Sequence, residues 1–248
     1  CGHTMKILYD NKIAEISVEV ENPDYPFSSA LLDPRLTRVG KTIDVEDQVI
    51  KFSDTITADY CVILSHNCTA SATVTLEGND TDSWDTPSLQ ESFSIAGDSL
   101  IVSFTSAEYD YWRITIDDPT NTATGIEIGY IFLGTALDMP GFNRPKKIEH
   151  KSNSLAQKST SGQLYGDRRL KYKAAEITFP DVSETQRQLI KTFWDTVDVV
   201  QPFTLLIWED DLDVEEPIYC SLTKELLWEQ QDIEGLTWTL TLEFEEVF

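Results

Sequence analysis

The sequence predicts a mainly β protein in two parts, an N-terminal β-sandwich followed by a smaller α+β domain, and three observations predict it. Over residues 5–137, short alternating or apolar segments recur with turn compositions between them, and no long helical period interrupts the series. After residue 163 the pattern changes to strand, helix and further strands. Between the two, residues 139–173 hold 9 of the chain's 19 Lys and Arg residues and only two acids, Glu149 and Asp167. The middle of that stretch, KSNSLAQKSTSG, has neither a helical apolar face nor a strand alternation, so residues 138–162 read as a basic linker.

A chain of 248 residues is long enough to bury a core in each of two domains. Its net charge of -24 is unevenly placed: residues 1–135 carry -15, residues 136–175 carry +6, and residues 176–248 carry -15. Two acidic bodies repel a nucleic-acid backbone, so no nucleic-acid partner is expected. No run of 18 apolar residues exists, so no membrane insertion is expected either. The opening CGHT reads as a cloning remnant before a native start at Met5. Cys61, Cys68 and Cys220 are few and irregularly spaced, which suggests reduced thiols rather than a disulfide framework; a Cys61–Cys68 pair stays open.

In the first domain, residues 6–9 form a short strand, and IAEISVEV (13–20) places Ile16, Val18 and Val20 on one face. A Pro-rich segment follows, with one possible helical turn at Ala30, Leu31 and Leu32. Strands are expected at 49–52, 60–65, 72–77, 92–95, 99–104, 111–117 and 126–133, separated by SHN, EGNDTDSW, AGD and DDPTNTATG. In 73–76 and 112–116 apolar residues alternate with polar ones, as a sandwich with one inner face per strand requires. Alternation also puts Tyr111 and Trp112 on opposite faces, one of them in the core.

In the second domain a strand at 170–179 ends at Pro180-Asp181-Val182-Ser183. Ser183 with Gln186 three residues on forms a capping box for a helix over 184–197. Leu189, Ile190, Phe193, Trp194 and Val197 give that helix its buried face. PFTLLIWED, EEPIYCSL and LTWTLTLEFEEV then read as strands, the last with Leu236, Trp238, Leu240, Leu242 and Phe244 on one face.

Some of these residues carry a resemblance. DYCVILSHNCTASATVTLEGND, DYWRITIDDP and IEIGYIFLG, in that order over residues 5–137, resemble the galactose-binding-like (discoidin-type) jelly roll found in structural proteins of bacteriophage and prophage tails. The resemblance implies a jelly roll; such domains bind sugars in some proteins and only pack against neighbours in others. Residues 163–248, with PFTLLIWEDD, YCSL and WTLTLEFEEV, resemble minor and distal tail proteins, whose tail-tube-like domain is a β-sandwich with one helix that assembles into rings. Together the two likenesses imply a non-enzymatic structural protein of a tail, located in the virion and assembled in the bacterial cytoplasm. Its implied partners are other tail proteins or copies of itself in a ring. The alternative is a carbohydrate-binding module for surface adhesion, with a cell-surface glycan as partner.

Candidate site residues follow from residue chemistry. His66 and Asn67 at a strand end could face a sugar, or could tie a loop; Trp84 and Tyr109 could stack on a sugar ring. Asp80, Asp82 and Asp85 place three carboxylates in a short run, either a calcium site or a solvated loop; no other cofactor is expected. Lys146, Lys147, Arg168 and Arg169 are candidate assembly contacts for acids such as Asp210 and Asp211 on a neighbour. GxSxG, HExxH, GxGxxG and GxxxxGK[ST] are all absent, and the chain reads as non-enzymatic.

Overall fold

The computed structural model describes residues 4–30, 35–141, 147–158, 160–162, 164–167, 170–208, 217–231 and 237–248. The chain divides into two compact units, one of residues 8–137 with Phe248 and one of residues 1–7 with 138–247. In chain order the elements begin with β1 (Thr4–Leu8), β2 (Ile16–Val18), the helical turn α1 (Phe27–Ala30), β3 (Gly40–Lys41), β4 (Gln48–Phe52), β5 (Ile56–His66) and β6 (Thr73–Asn79). They continue with β7 (Leu89–Ser92), β8 (Ser94–Ala96), β9 (Ser99–Tyr109), β10 (Tyr111–Asp117), β11 (Glu127–Gly134) and β12 (Leu137–Asp138).

The unit of residues 8–137 is a β-sandwich. One five-stranded sheet has the order β2-β4-β10-β6-β7 and the other β3-β11-β5-β9-β8. The inner faces supply one continuous core, in which Ile50, Phe52, Leu76, Trp112, Ile114 and Ile116 meet Ile63, Leu100, Ile128 and Ile131. Trp112 is fully buried and its Nε1–H donates to the carbonyls of Ile56 and Tyr109, so the one polar atom of the largest core side chain is satisfied. Tyr111, one residue away, is half-buried on the outer face. The region expected as one strand over 92–95 is two, β7 and β8, which join different sheets: the chain switches sheets between Ser92 and Ser94. The helical turn ends at Ala30, and Leu31 and Leu32 lie outside the described residues. Cys61, Cys68 and Cys220 are free thiols.

In the second unit the remaining elements are β13 (Lys147–Ser152), β14 (Leu155–Lys158), β15 (Leu164–Asp167), β16 (Lys171–Ser183), α2 (Glu184–Val197), β17 (Phe203–Trp208), β18 (Ile218–Leu222), β19 (Leu227–Gln230) and β20 (Thr237–Glu246). An eight-stranded sheet runs β12-β1-β17-β18-β20-β16-β13, with β19 sharing an edge of β20 beside β18. The strand β1, expected in the first domain, belongs to this sheet. Lys147–Ser152 and Leu155–Lys158, inside the stretch read as a linker, are strands: β13 pairs with β16 and β14 with β15, so the backbone of this polar stretch is satisfied by ladder bonds rather than by a core. The strand expected to stop at Pro180 instead runs to Ser183. A register shift between Phe179 and Val182, with Asp181 at φ 56°, lets the ladder absorb a residue that has no N–H.

The helix α2 has the expected bounds and its capping box is present. It buries Ile190, Phe193 and Val197, and Phe193 meets Phe203 edge-on at 5.1 Å between ring centres. Leu189, expected on that face, is 50% exposed, so the buried stripe is narrower than the apolar pattern. No helix among the described residues is long and apolar enough to cross a membrane.

Candidate functional site

Strand alternation in the β2-β4-β10-β6-β7 sheet sends Ile50, Ile114 and Leu76 inward and leaves the next residue of each strand on the outer face. Registers then line up Ser17, Lys51, Arg113, Glu77 and Gln90 as one row across the sheet. In the middle of the row the Arg113 guanidinium donates from Nε to the Glu77 carboxylate, whose other oxygen is 3.4 Å from the Gln90 amide nitrogen. Glu77 is only 4% exposed although it lies on the outer face. A buried carboxylate requires such a partner.

The loop between β6 and β7 carries Trp84 to this row. Asn79 ties the loop at both ends: its Nδ2 donates to the Ser83 carbonyl at 2.6 Å, and its Oδ1 accepts from Ser88 at 2.9 Å. The Trp84 Nε1–H donates to Asp82 at 2.7 Å, and the Arg113 guanidinium carbon stands 4.5 Å from the centre of the indole. Lys51 lies 3.5 Å from the same Asp82 oxygen. The Trp84 hydrogen bond holds the Asp82 carboxyl below the usual carboxylate range; desolvation opposes it, and the nearby Lys51 and Arg113 charges add to the lowering. The indole is thus clamped on one face and at its N–H while remaining half-exposed. Tyr111, two residues before Arg113 on the same strand, shares its face.

The four residues expected to face a sugar are not brought together. Ile56 pairs with Tyr109 at one end of the sandwich, and His66 pairs with Ile128 at the other. Tyr109 covers Gly78, where an added Cβ would stand 2.5 Å from its ring, and meets Trp112 edge-on at 5.4 Å; it closes the core. At the opposite end, Asn67 accepts from the Glu127 N–H at 2.8 Å and donates to the Gly125 carbonyl at 2.9 Å. His66 Nδ1 accepts from the Cys68 N–H at 3.1 Å, and its Nε2 is buried without a hydrogen-bond partner. Burial lowers the His66 pKa, with Ser99, Asp98 and Asp118 opposing. Asp118, fully buried, accepts from the Thr69 N–H and hydroxyl at 2.7 and 2.5 Å and from Asn121 at 3.1 Å. This end is a set of loops holding one another, whereas Trp84 lies beside the outer row of the other sheet, over Arg113.

In the sequence, Asp80, Asp82 and Asp85 read as either a calcium site or a solvated loop. Among the described residues no three His, Cys, Asp or Glu side chains converge to hold a metal, and Asp82 is committed to Trp84 and Lys51. Of the expected assembly contacts, Lys146, Arg168, Arg169, Asp210 and Asp211 lie outside the described residues. Lys147 is in β13, opposite Glu176 of β16. Sequence reasoning missed Arg113, Lys51, Glu77 and Gln90. The available signal was a charge set among inward-facing apolar residues in three strands: Lys51 between Ile50 and Phe52, Glu77 after Leu76, and Arg113 between Trp112 and Ile114.

No family model and no curated protein matches the sequence. Solved structures do. They include a family 32 carbohydrate-binding module of AlyQ in complex with 4,5-unsaturated mannuronic acid, at 17% identity and TM-score 0.39, covering 51% of this chain and 96% of that one. The family 32 module of Clostridium perfringens NanJ in complex with galactose matches at 13% and 0.40, covering 52% and 98%. The lectin domain of lectinolysin complexed with Lewis B antigen matches at 11% and 0.38, covering 50% and 94%. At these identities and scores the likeness carries no argument about a ligand. The matched structures named are binding modules and lectin domains, and none of those named is a tail component, so the tail, virion and prophage reading finds no support in them.

Proposed function

We propose that the chain is a non-catalytic carbohydrate-binding module whose sugar site is the outer face of the β2-β4-β10-β6-β7 sheet around Trp84. The observation that carries the reading is the clamped indole: half-exposed, held through its N–H by Asp82 and backed by Arg113. A fixed aromatic plane offers the C–H face of a pyranose a contact at low entropic cost, because its two side-chain torsions are already set. Lys51, Asp82 and Gln90 beside it supply donors and an acceptor for ring hydroxyls. The surface is open rather than a deep cleft, so binding is weak, with Kd of the order of 0.1–1 mM for a single sugar.

The test is a glycan array followed by titration calorimetry, with galactose, Lewis B and unsaturated mannuronate among the first probes. The chain is expected to retain one sugar class, and Trp84→Ala to lose it at least tenfold without changing the unfolding transition. Equal binding by Trp84→Ala, or no binding to any glycan at millimolar concentration, would overturn the site or the function respectively.

A further inference from the structure

The charges around Trp84 bear on what kind of sugar its surface takes. The strands β2, β4, β10, β6 and β7 and the loop 80–88 hold two cations, Lys51 and Arg113. Against them stand six acids, Glu77, Asp80, Asp82, Asp85, Glu91 and Asp117. The Arg113 charge is cancelled by the buried Glu77. Lys51 is the other cation of this set, and two carboxylates share it. Its Nζ stands 3.5 Å from Asp82 and 3.9 Å from Glu19, the residue that follows β2. The Glu19 N–H donates to the Val49 carbonyl at 3.4 Å, which continues the β2–β4 ladder, and alternation puts Glu19 on the face of Ser17 and Lys51. The Asp82 and Glu19 side chains are 53% and 61% exposed, against 29% for Lys51. Two carboxylates around one ammonium leave one negative charge over, and it faces solvent.

The place of that charge relative to the indole decides what it recognises. Because the Trp84 Nε1–H donates to Asp82 at 2.7 Å, the carboxylate lies at the rim of the ring. Arg113 occupies one face of the indole, which leaves the other for a sugar. A pyranose stacked there turns its ring substituents outward past the rim, where Asp82 and Glu19 stand. A carboxylate substituent meets charge of its own sign at that place. A hydroxyl or an acetamide gains an ordinary hydrogen bond. An ammonium gains a charge-assisted one and completes a set of two carboxylates and two ammonium groups. Residues 1–135 carry -15 as a whole, so the wider field draws in the same sign of ligand.

Resting on the glycan reading above, we infer that the Trp84 site takes a glycan with free amino groups on its pyranose rings, the ammonium being held by Asp82 and Glu19. Titration calorimetry on the full chain tests it with oligomers of glucosamine, N-acetylglucosamine and galacturonate of equal length. The titrations run at about pH 5.5, above the usual carboxylate range, in about 50 mM and about 500 mM salt. At low salt the glucosamine oligomer is expected to bind about fivefold tighter than its acetylated counterpart, and the galacturonate oligomer most weakly. The ratio should fall towards one at high salt. Glu19→Gln should lower the low-salt ratio, Glu19→Lys should favour galacturonate over glucosamine, and Trp84→Ala should lose all three oligomers. Equal binding of the amine and its acetylated form, or tighter binding of galacturonate, overturns the inference and leaves the glycan reading standing. A preference for the amine that survives both Glu19→Lys and Trp84→Ala also overturns it, since the attraction then lies elsewhere on the acidic surface. Binding of none of the three oligomers overturns the glycan reading and the inference together.

Discussion

Replacing Arg113 by Met removes the partner of a carboxylate that cannot reach water. Glu77 is 4% exposed, and the Arg113 side chain, 20% exposed, covers it from the solvent side. Breaking a buried ion pair from one side costs roughly 3–5 kcal/mol, since the remaining charge is left desolvated. The partial exposure of Arg113 puts this pair at the lower end, and Gln90 at 3.4 Å gives only a weak substitute. Losing the stack on Trp84 adds about 0.5–1 kcal/mol. Arg113→Met is therefore expected to lower unfolding stability by about 3 kcal/mol. Arg113→Leu with Glu77→Leu removes both charges and is expected to return to within about 1 kcal/mol of wild type, as apolar replacements of buried pairs do. Urea unfolding followed by circular dichroism measures both, the transition of the sandwich being read separately where the two units unfold apart. A cost below about 1 kcal/mol for the single change, or a double variant as damaged as the single one, would show that water reaches Glu77 and that the row is not the closed network described.

Three further outcomes are expected. Because burial depresses the His66 pKa, the unfolded chain takes up a proton there before the folded one does; the His66 contribution is complete above the ordinary histidine pKa and is lost as pH falls from about 6.5 towards the lowered folded value. Urea midpoints at pH 7.5 and 5.5 should thus fall less in His66→Asn than in wild type, and equal falls would count against it. Ser183→Ala removes the acceptor of the Gln186 N–H at 3.3 Å and should cost about 1 kcal/mol, with the α2 signal lost first on heating. Gly125→Ala brings a Cβ to 2.1 Å from the Thr42 carbonyl, and Thr42 is buried with its hydroxyl accepting from the Ile126 N–H at 2.8 Å and so cannot retreat. A loss of about 2 kcal/mol is expected there, against none for Gly141→Ala, which meets nothing within 4 Å.

Periodicity could be read wherever a segment's own residues decide its state. The strand at 111–117 and the helix at 184–197 have the bounds their patterns predict, since alternation and a capping box are local features. The polar strands β13 and β14 could not be read in this way. Their pairing is dictated by β16 and β15, and a strand without an apolar face looks like a linker when its partner is unknown. The same applies to the outer row. Ser17, Lys51, Arg113, Glu77 and Gln90 come from five strands, and only registers fixed by the fold make them neighbours. His66 and Asn67 show the opposite limit: a polar pair at a strand end has the same composition whether it meets a ligand or, as their bonds here do, ties Gly125, Glu127 and Cys68 into one turn.

The motifs that carried the resemblance explain why it informs on the fold and not on what the surface binds. In YWRI, Trp112 and Ile114 are fully buried; in IGYIFLG, every residue from Ile128 to Gly134 is buried. These positions serve packing and the β10 and β11 ladders, which say nothing of what the surface binds. Arg113 is the exception inside the motif. It sits between two core residues, yet its side chain makes the ion pair with Glu77 and the stack with Trp84. The residue that the motif's packing does not require is therefore the one that ties the motif to the proposed site, and a chain that keeps Tyr111, Trp112 and Ile114 but changes Arg113 should keep the fold and lose the clamp on the indole.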